Sequence, residues 1–197
     1  IQALRICQKK IEKHGVTRMR LVATEACRRA RNARDFIRQV RREAGLAIEI
    51  IQPEEEARLA VISCAPLVNP RTEQLLVVDI GGGSTELVWI DLSGVVAADR
   101  PRAIMRLHSG FRAQAADGAR VVDWISVPLG VATLKDQFAD VEDDAARFAL
   151  MSWFFEENLA RFSPYNADNP RAGFQIIGTS GTITTVAASF LGLKRYD

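Results

Sequence analysis

The segment Leu-Val-Val-Asp-Ile-Gly-Gly-Gly-Ser-Thr-Glu, residues 76–86, limits what this chain can fold into more than any other stretch. The apolar run Leu75 to Val78 predicts a buried strand, and Asp79 stands at its end. Gly81, Gly82 and Gly83 follow, then Ser84, Thr85 and Glu86, then a second strand-like run, Leu87 to Ile90. Glycines there permit positive φ and let a backbone come close to a ligand. Successive backbone N–H groups in such a turn form a concave anion site. A carboxylate at the strand end can hold a metal ion or a water beside that anion. The pattern therefore predicts a hairpin that clamps phosphate with a divalent cation. A plain hairpin with a glycine-rich turn is the simpler alternative, and Asp79 with Ser84-Thr85-Glu86 favours phosphate over it. No Gly-Lys-Ser/Thr follows, which excludes a Walker A loop. A strand rather than a helix follows the glycines, which excludes a Rossmann fingerprint.

Gly178-Thr179-Ser180-Gly181-Thr182 repeats this logic, with an apolar strand running into the turn and a helix leaving it. The N–H groups, the hydroxyls and the positive end of the helix predict a second anion site. Ordinary helix capping uses the same residue types, so the argument rests on two such strand-end turns in one α/β layer. The acidic triplet Glu54-Glu55-Glu56 follows Pro53 at a predicted helix start, where carboxylates interact well with the helix dipole. A positioned carboxylate can also orient a water, which glycine turns cannot do. Chemistry alone does not choose among the three.

The chain has 197 residues, 48% of them hydrophobic, enough for one large or two small domains with a proper core. No apolar run approaches membrane-spanning length, and the first segment is charged and amphipathic, unlike a signal peptide. The sequence reads as an excerpt that starts inside a helix. Cys7, Cys27 and Cys64 show no metal-ligand or Cys-x-x-Cys spacing, which points to reduced, buried thiols in a cytoplasmic protein. His14 reads as a surface residue and His108 as structural. The net charge is +2, yet residues 1–45 are rich in Arg and Lys while residues 136–144 are acidic. A basic first quarter suits a polyanionic partner, though an ordinary solvated helix face accounts for most of these arginines. No aromatics are interleaved with them, which argues against nucleic acid as a partner.

Alternating strands and helices indicate α/β layers. Helices are expected from Ile1 to His14, from Thr24 or Glu25 to Gly45, from Pro53 to Cys64, near Val131 to Phe138, from Asp143 or Asp144 to about Phe162, and from the second glycine turn to Leu191. Strands are expected at Met19–Ala23, Leu46–Ile51, Leu75–Asp79, Leu87–Asp91, Ala103–His108, Val121–Val127 and Gln175–Ile177. Gly110–Arg120 and Ser163–Ala172 read as loops, and the domain seam falls in or near the helix after Pro53.

These residues resemble the exopolyphosphatase and guanosine pentaphosphate phosphohydrolase family, within the actin-like, sugar-kinase and heat-shock ATPase superfamily. The resemblance is carried by Val22-Ala23-Thr24 through Arg28 and Asn32, Pro53 to Leu59, Asp79 to Leu87, Val127-Pro128-Leu129-Gly130, and Gly178 to Thr182. It implies ribonuclease H-like (actin-like ATPase) domains, each a mixed sheet flanked by helices. Residues 1–55 would be the C-terminal part of a first domain, and 56–197 a second domain holding both glycine turns. It further implies cleavage of terminal phosphoanhydride bonds in inorganic polyphosphate or guanosine pentaphosphate, Mg²⁺ as the cation, and a homodimer. Glu56 would be the base toward water, Asp79 the cation or water ligand and Glu86 its neighbour at the metal. Gly81, Gly82, Gly83, Ser84, Thr85, Glu86 and Gly178, Thr179, Ser180, Gly181, Thr182 would bind phosphate, with Arg28 facing the phosphate chain from the first domain.

Three departures stand out. The family's first phosphate motif, an Asp-x-Gly-Ser turn, precedes the residues present. Glu25 stands where a serine is usual, and Thr133 where an arginine is frequent. Two other functions use the same turns: an ATP-dependent kinase or chaperone-like ATPase, and a non-catalytic polyphosphate or alarmone binding module.

Overall fold

A computed structural model of the chain describes residues 1–107, 111, 118–163 and 173–194. It forms two compact units, Ile1–Pro53 and Glu54–Asp197.

The first unit contains α1 (Gln2–Lys13), β1 (Leu21–Ala23), α2 (Glu25–Arg29), α3 (Ala33–Ala44) and β2 (Ile48–Ile50). β1 and β2 pair in parallel, from Leu21 opposite Ile48 to Ala23 opposite Ile50. Val40, Ala44 and Leu46 form its core, with Leu4, Ile11 and Phe36 packed on them. Gly45 closes α3 at φ 64°, the left-handed conformation that glycine adopts without a Cβ penalty. The single helix expected between Thr24 and Gly45 is two helices, because Ala30 is extended, with ψ 124°. The apolar periodicity runs through the break and hides it. What separates the helices is Asn32 at the start of α3, a residue type that favours helix ends over interiors, and the anchoring of α2 by Arg28, whose Nη1 donates to the Ile51 carbonyl at 2.9 Å.

The division falls at the start of α4 (Pro53–Ser63), whose first residue is the proline expected there and whose remainder belongs to the second unit. The sheet of the second unit has the order β5-β4-β3-β6, with β3 (Gln74–Ile80), β4 (Thr85–Asp91), β5 (Arg120–Val127) and β6 (Phe174–Thr179). The β3–β4 and β4–β5 pairs are antiparallel, and β6 runs parallel to β3. Side chains alternate across the sheet. Leu75, Val77, Val88 and Ile90 pack on one face against Ala57, Val61 and Cys64 of α4 and against α5 (Arg100–Met105). Leu76, Leu87, Trp89, Ile125 and Val127 pack on the other against α6 (Val131–Gln137) and α7 (Asp144–Leu159). The last helix is α8 (Ser180–Phe190). This is the mixed sheet flanked by helices that the sequence leads one to expect.

The strand expected at Ala103–His108 is instead α5. Asp99 precedes it and Pro101 lies in its first turn, a combination that starts helices. Arg100, Ala103, Ile104 and Leu107 are buried at helical spacing. The short apolar run was ambiguous between strand and helix, and the upstream proline was the missed signal. His108 lies outside the described residues, as do 112–117 and 164–172 of the two expected loops.

Candidate active site

The hairpin places Asp79 and Glu86 directly opposite each other in the β3–β4 register, on the sheet face that α4 covers. Glu86 is buried. Burial pushes its carboxyl up to about 7, against hydrogen bonds from the Ser126 and Ser84 hydroxyls, and the nearby charges of Glu56 and Asp79 push the same way. The Ser126 hydroxyl donates to Glu86 Oε1 at 2.8 Å. Asp79 is also raised, chiefly by burial and in part by Glu56, while a hydrogen bond from the Ser180 hydroxyl opposes the shift. The Oδ1 of Asp79 is buried and has no hydrogen-bond partner among the described residues.

The acidic triplet divides by geometry. Glu55 forms a two-pronged ion pair with Arg58, at 2.7 and 2.9 Å, and Arg58 also donates to the Leu107 carbonyl at 3.1 Å. Glu55 therefore orients Arg58, and it is Arg58 that ties α4 to the end of α5. Glu56 is the member whose charge acts on both Asp79 and Glu86, and its Oε2 is buried. The Asp79–Glu86 pair thus feels the charge of one member of the triplet, Glu56.

The glycine turn closes with the Gly81 N–H donating to the Ser84 carbonyl at 3.0 Å. Gly81 and Gly82 take no positive φ, and a Cβ at Gly82 would meet nothing within 4 Å while one at Gly81 would meet only the Ser84 carbonyl oxygen at 3.3 Å, so neither the backbone conformation nor crowding demands glycine at these two positions. The element that approaches the turn is the start of α6. The N–H of Val131 donates to the Gly81 carbonyl at 3.1 Å, and those of Ala132 and Thr133 donate to the Gly82 carbonyl at 3.0 and 3.3 Å. Thr85 is buried and its hydroxyl donates to the Leu129 carbonyl at 2.8 Å, tying the hairpin to the same segment. The Ser84 hydroxyl serves Glu86.

The second glycine turn is beside the first. Val78 pairs with Gly178 and Asp79 with Thr179 across β3 and β6. Ser180 has φ 76°, a strained conformation for a residue with a side chain, of a kind that gathers at functional sites. A cavity of about 400 Å³ lies between the turns, lined by Gly81, Gly82, Ser180, Gly181 and Thr182 among others. Gly178 packs under Ile183 so tightly that a Cβ there would lie 2.7 Å from Ile183 Cγ2.

In the first unit, Arg28 is paired with Glu25 at 3.0 Å, both side chains being about one-eighth exposed at 12% and 13%. The unusual Glu25 thus lies on the arginine itself. The other basic residues behave as a solvated surface: Arg5 pairs with Glu43 at 2.8 Å, and Arg20 with Glu49. His14 is exposed. Of the cysteines only Cys64 is buried, while Cys7 is exposed at the surface of α1, contrary to the expectation that all three are buried.

The contact of Ser126 with Glu86, and the packing of Gly130 and Thr133 on the glycine turn, escaped the sequence reading. Strand alternation in β5 could have placed Ser126 beside Glu86. A Gly followed three residues on by Thr could have announced the cap of α6, in which the Gly130 N–H donates to Thr133 Oγ1 at 2.8 Å.

Among the described residues no group of three or more His, Cys, Asp or Glu is gathered to hold a metal ion unaided, and no helix is long and apolar enough to cross a membrane. A facing carboxyl pair still suits a hard cation such as Mg²⁺, which characteristically takes one or two protein carboxylates and completes its shell with water and substrate phosphate. The buried Asp79 Oδ1, which has no hydrogen-bond partner among the described residues, faces the Glu86 carboxyl across the hairpin, and this donor set fits such a cation.

Two glycine turns at neighbouring strand ends, with the facing Asp79 and Glu86 beside them, mark the sheet end of this α/β unit. The chain belongs to the Ppx/GppA phosphatase family, whose model matches residues 1–192. It is similar to the crystal structure of the Aquifex aeolicus member of that family, with 33% identity and a TM-score of 0.64, covering 100% of this chain and 53% of that one. It is also similar to the structure of an exopolyphosphatase-like protein, at 28% identity and a TM-score of 0.71, covering 99% of this chain and 55% of that one. An exopolyphosphatase from Cytophaga hutchinsonii, 22% identical with a TM-score of 0.69, shares the fold over 99% of this chain and 55% of its own. The chain spans about half the length of these structures.

Proposed function

We propose that the protein carrying this chain hydrolyses terminal phosphoanhydride bonds in inorganic polyphosphate, guanosine pentaphosphate or both, with Glu56 as the base toward water and Mg²⁺ as the cation. The observation that carries the reading is the facing Asp79–Glu86 pair next to the Gly81–Ser84 turn, with the charge of Glu56 acting on both carboxyls.

A phosphate terminus carries dense negative charge, and that charge must be offset before a nucleophile can approach. Backbone N–H groups of Gly82 and Gly83 and of the Gly178–Thr182 turn would bind its oxygens. Arg28 would add a guanidinium, whose fork matches phosphate geometry. Asp79 and Glu86 would hold the Mg²⁺, which when bound neutralises phosphate charge. Glu56 would accept the proton of the attacking water, as a positioned carboxylate does in phosphoryl transfer. Water would take the phosphoryl group provided that no acceptor hydroxyl competes with it. By the same resemblance, the protein is proposed to be a cytoplasmic homodimer.

The test is phosphate release by the full-length protein from polyphosphate and from guanosine pentaphosphate in parallel, with Mg²⁺ and with chelator. Release that needs the cation supports the reading, and the ratio of kcat/KM values assigns the substrate. Binding of either polyanion without release would instead mark a non-catalytic binding module. Tight ATP binding with neither activity would mark a kinase or chaperone-like ATPase.

A further inference from the structure

We infer that Gly130 and Thr133, at the start of α6, are positioning residues that aim the N–H groups of the phosphate turn. The inference rests on the function proposed above and adds residues which that mechanism does not use.

A trans peptide is planar, so a carbonyl and the N–H that follows it point in opposite directions. The Gly81 carbonyl is held by the Val131 N–H at 3.1 Å, so the Gly82 N–H points away from α6. The Gly82 carbonyl is held by Ala132 and Thr133 at 3.0 and 3.3 Å, so the Gly83 N–H also points away. α6 belongs to the layer on the Leu76 and Leu87 face, whereas Asp79 and Glu86 stand on the other. The helix start therefore turns two consecutive donors toward the carboxyl side of the sheet end. Its own N–H groups are occupied by the turn, so α6 acts as the mount of the anion site rather than as a site.

Two residues make this mount possible. A Cβ on residue 130 would lie 2.3 Å from the Gly81 oxygen, 2.4 Å from the Gly82 carbonyl carbon and 2.6 Å from the Gly83 nitrogen. The obstacles are backbone atoms, so any side chain there displaces the turn. The backbone of Gly130 is extended, with φ −131° and ψ −177°, which any residue could adopt, so space alone demands glycine. Thr133 locks the segment. Its hydroxyl accepts from the Gly130 N–H at 2.8 Å and donates to the Gly130 carbonyl at 3.1 Å, while its own N–H reaches the Gly82 carbonyl. A long side chain at 133 could reach toward a ligand; the threonine here fixes the geometry of the turn.

The experiment compares full-length wild type, Thr133→Val, Thr133→Ser and Gly130→Ala by steady-state phosphate release from polyphosphate and by thermal melting. Thr133→Val should raise KM about five- to tenfold, the factor that one lost cap interaction corresponds to, and Thr133→Ser should restore it. Gly130→Ala should lower kcat/KM about a hundredfold, the loss expected when binding groups shift by roughly an ångström. A purely structural role would lower kcat with the folded fraction and Tm while leaving KM unchanged, and that result overturns the inference. So does a Thr133→Ser variant no better than Thr133→Val. An inactive wild type removes the proposed function and this inference together, whereas an active wild type with variants of unchanged KM removes the inference alone.

Discussion

Asp79 and Glu86 are cross-strand partners, two carboxyl groups set face to face at the end of the β3–β4 hairpin. Side chains so paired lie roughly 5 Å apart at Cβ, and like charges in that arrangement repel. Glu56 adds a third negative group. A fold built for stability alone would not assemble them, so the cluster marks a place where stability gives way to chemistry.

The Glu86 carboxyl is raised from 4.5 to about 7, first by burial. Because the folded value lies above the unfolded one, its contribution to stability is fully present below about pH 4.5 and is lost as pH rises through 7. Glu86→Gln keeps the neutral shape without the charge. It should leave urea stability unchanged near pH 4 and raise it at pH 8, by on the order of 1–3 kcal/mol. A variant no more stable than wild type at pH 8 would contradict the shift.

Positive charge between the pair should have the same effect. At pH 8, Mg²⁺ is expected to raise the Tm of the wild type, since a ligand that binds only the folded state stabilises it by mass action. Chelator should reverse the gain, and Asp79→Asn combined with Glu86→Gln should abolish it. Equal Mg²⁺ shifts in wild type and double variant would place the cation elsewhere.

Arg28 is held by Glu25 at 3.0 Å in a pair largely shielded from solvent. A polyanion recruiting Arg28 would compete with that carboxylate. Glu25→Ser should therefore lower the KM for polyphosphate by about three- to tenfold, the strength of one charge-assisted hydrogen bond, and Arg28→Ala should raise it. A Glu25→Ser variant with higher KM would mean that Glu25 instead holds Arg28 in its working position.

Gly178 bears directly on the second turn. An added methyl would meet Ile183 Cγ2 at 2.7 Å and Cγ1 at 3.0 Å. Overpacking of this kind costs about 1–3 kcal/mol. Gly178→Ala should show that loss in denaturant unfolding, and Gly178→Ala should cost less in an Ile183→Ala background, where both clashing Cγ atoms are gone. A fully stable Gly178→Ala would show that Ile183 yields without penalty.

The hairpin, its register-setting glycine turn and the second glycine turn were legible in the sequence because local chemistry specifies them. Apolar runs bounded by Gly, Ser and Thr leave few alternatives. α5 was misread because a short apolar run carries no clear period, and Pro101 outweighed it. The division of α2 from α3 was hidden because a tertiary bond, from Arg28 to Ile51, helps define it. The same limit applied at the site. Which of Glu54, Glu55 and Glu56 meets Asp79 depends on how α4 lies on the sheet, and on Arg58 taking Glu55. The mount at Gly130 could not be foreseen either, since it joins segments almost fifty residues apart in the chain.

The most direct test is the turnover of Glu56→Gln, measured as phosphate release from polyphosphate at saturating Mg²⁺ by the full-length protein, with Glu55→Gln as the control that disturbs α4 without touching the cluster. Glu56→Gln should lose at least about a hundredfold in kcat, the range expected for removal of a general base, with KM within about threefold of wild type. Glu55→Gln should lose stability but retain turnover. Full turnover by a folded Glu56→Gln would contradict the role assigned to that carboxylate and the mechanism built on it.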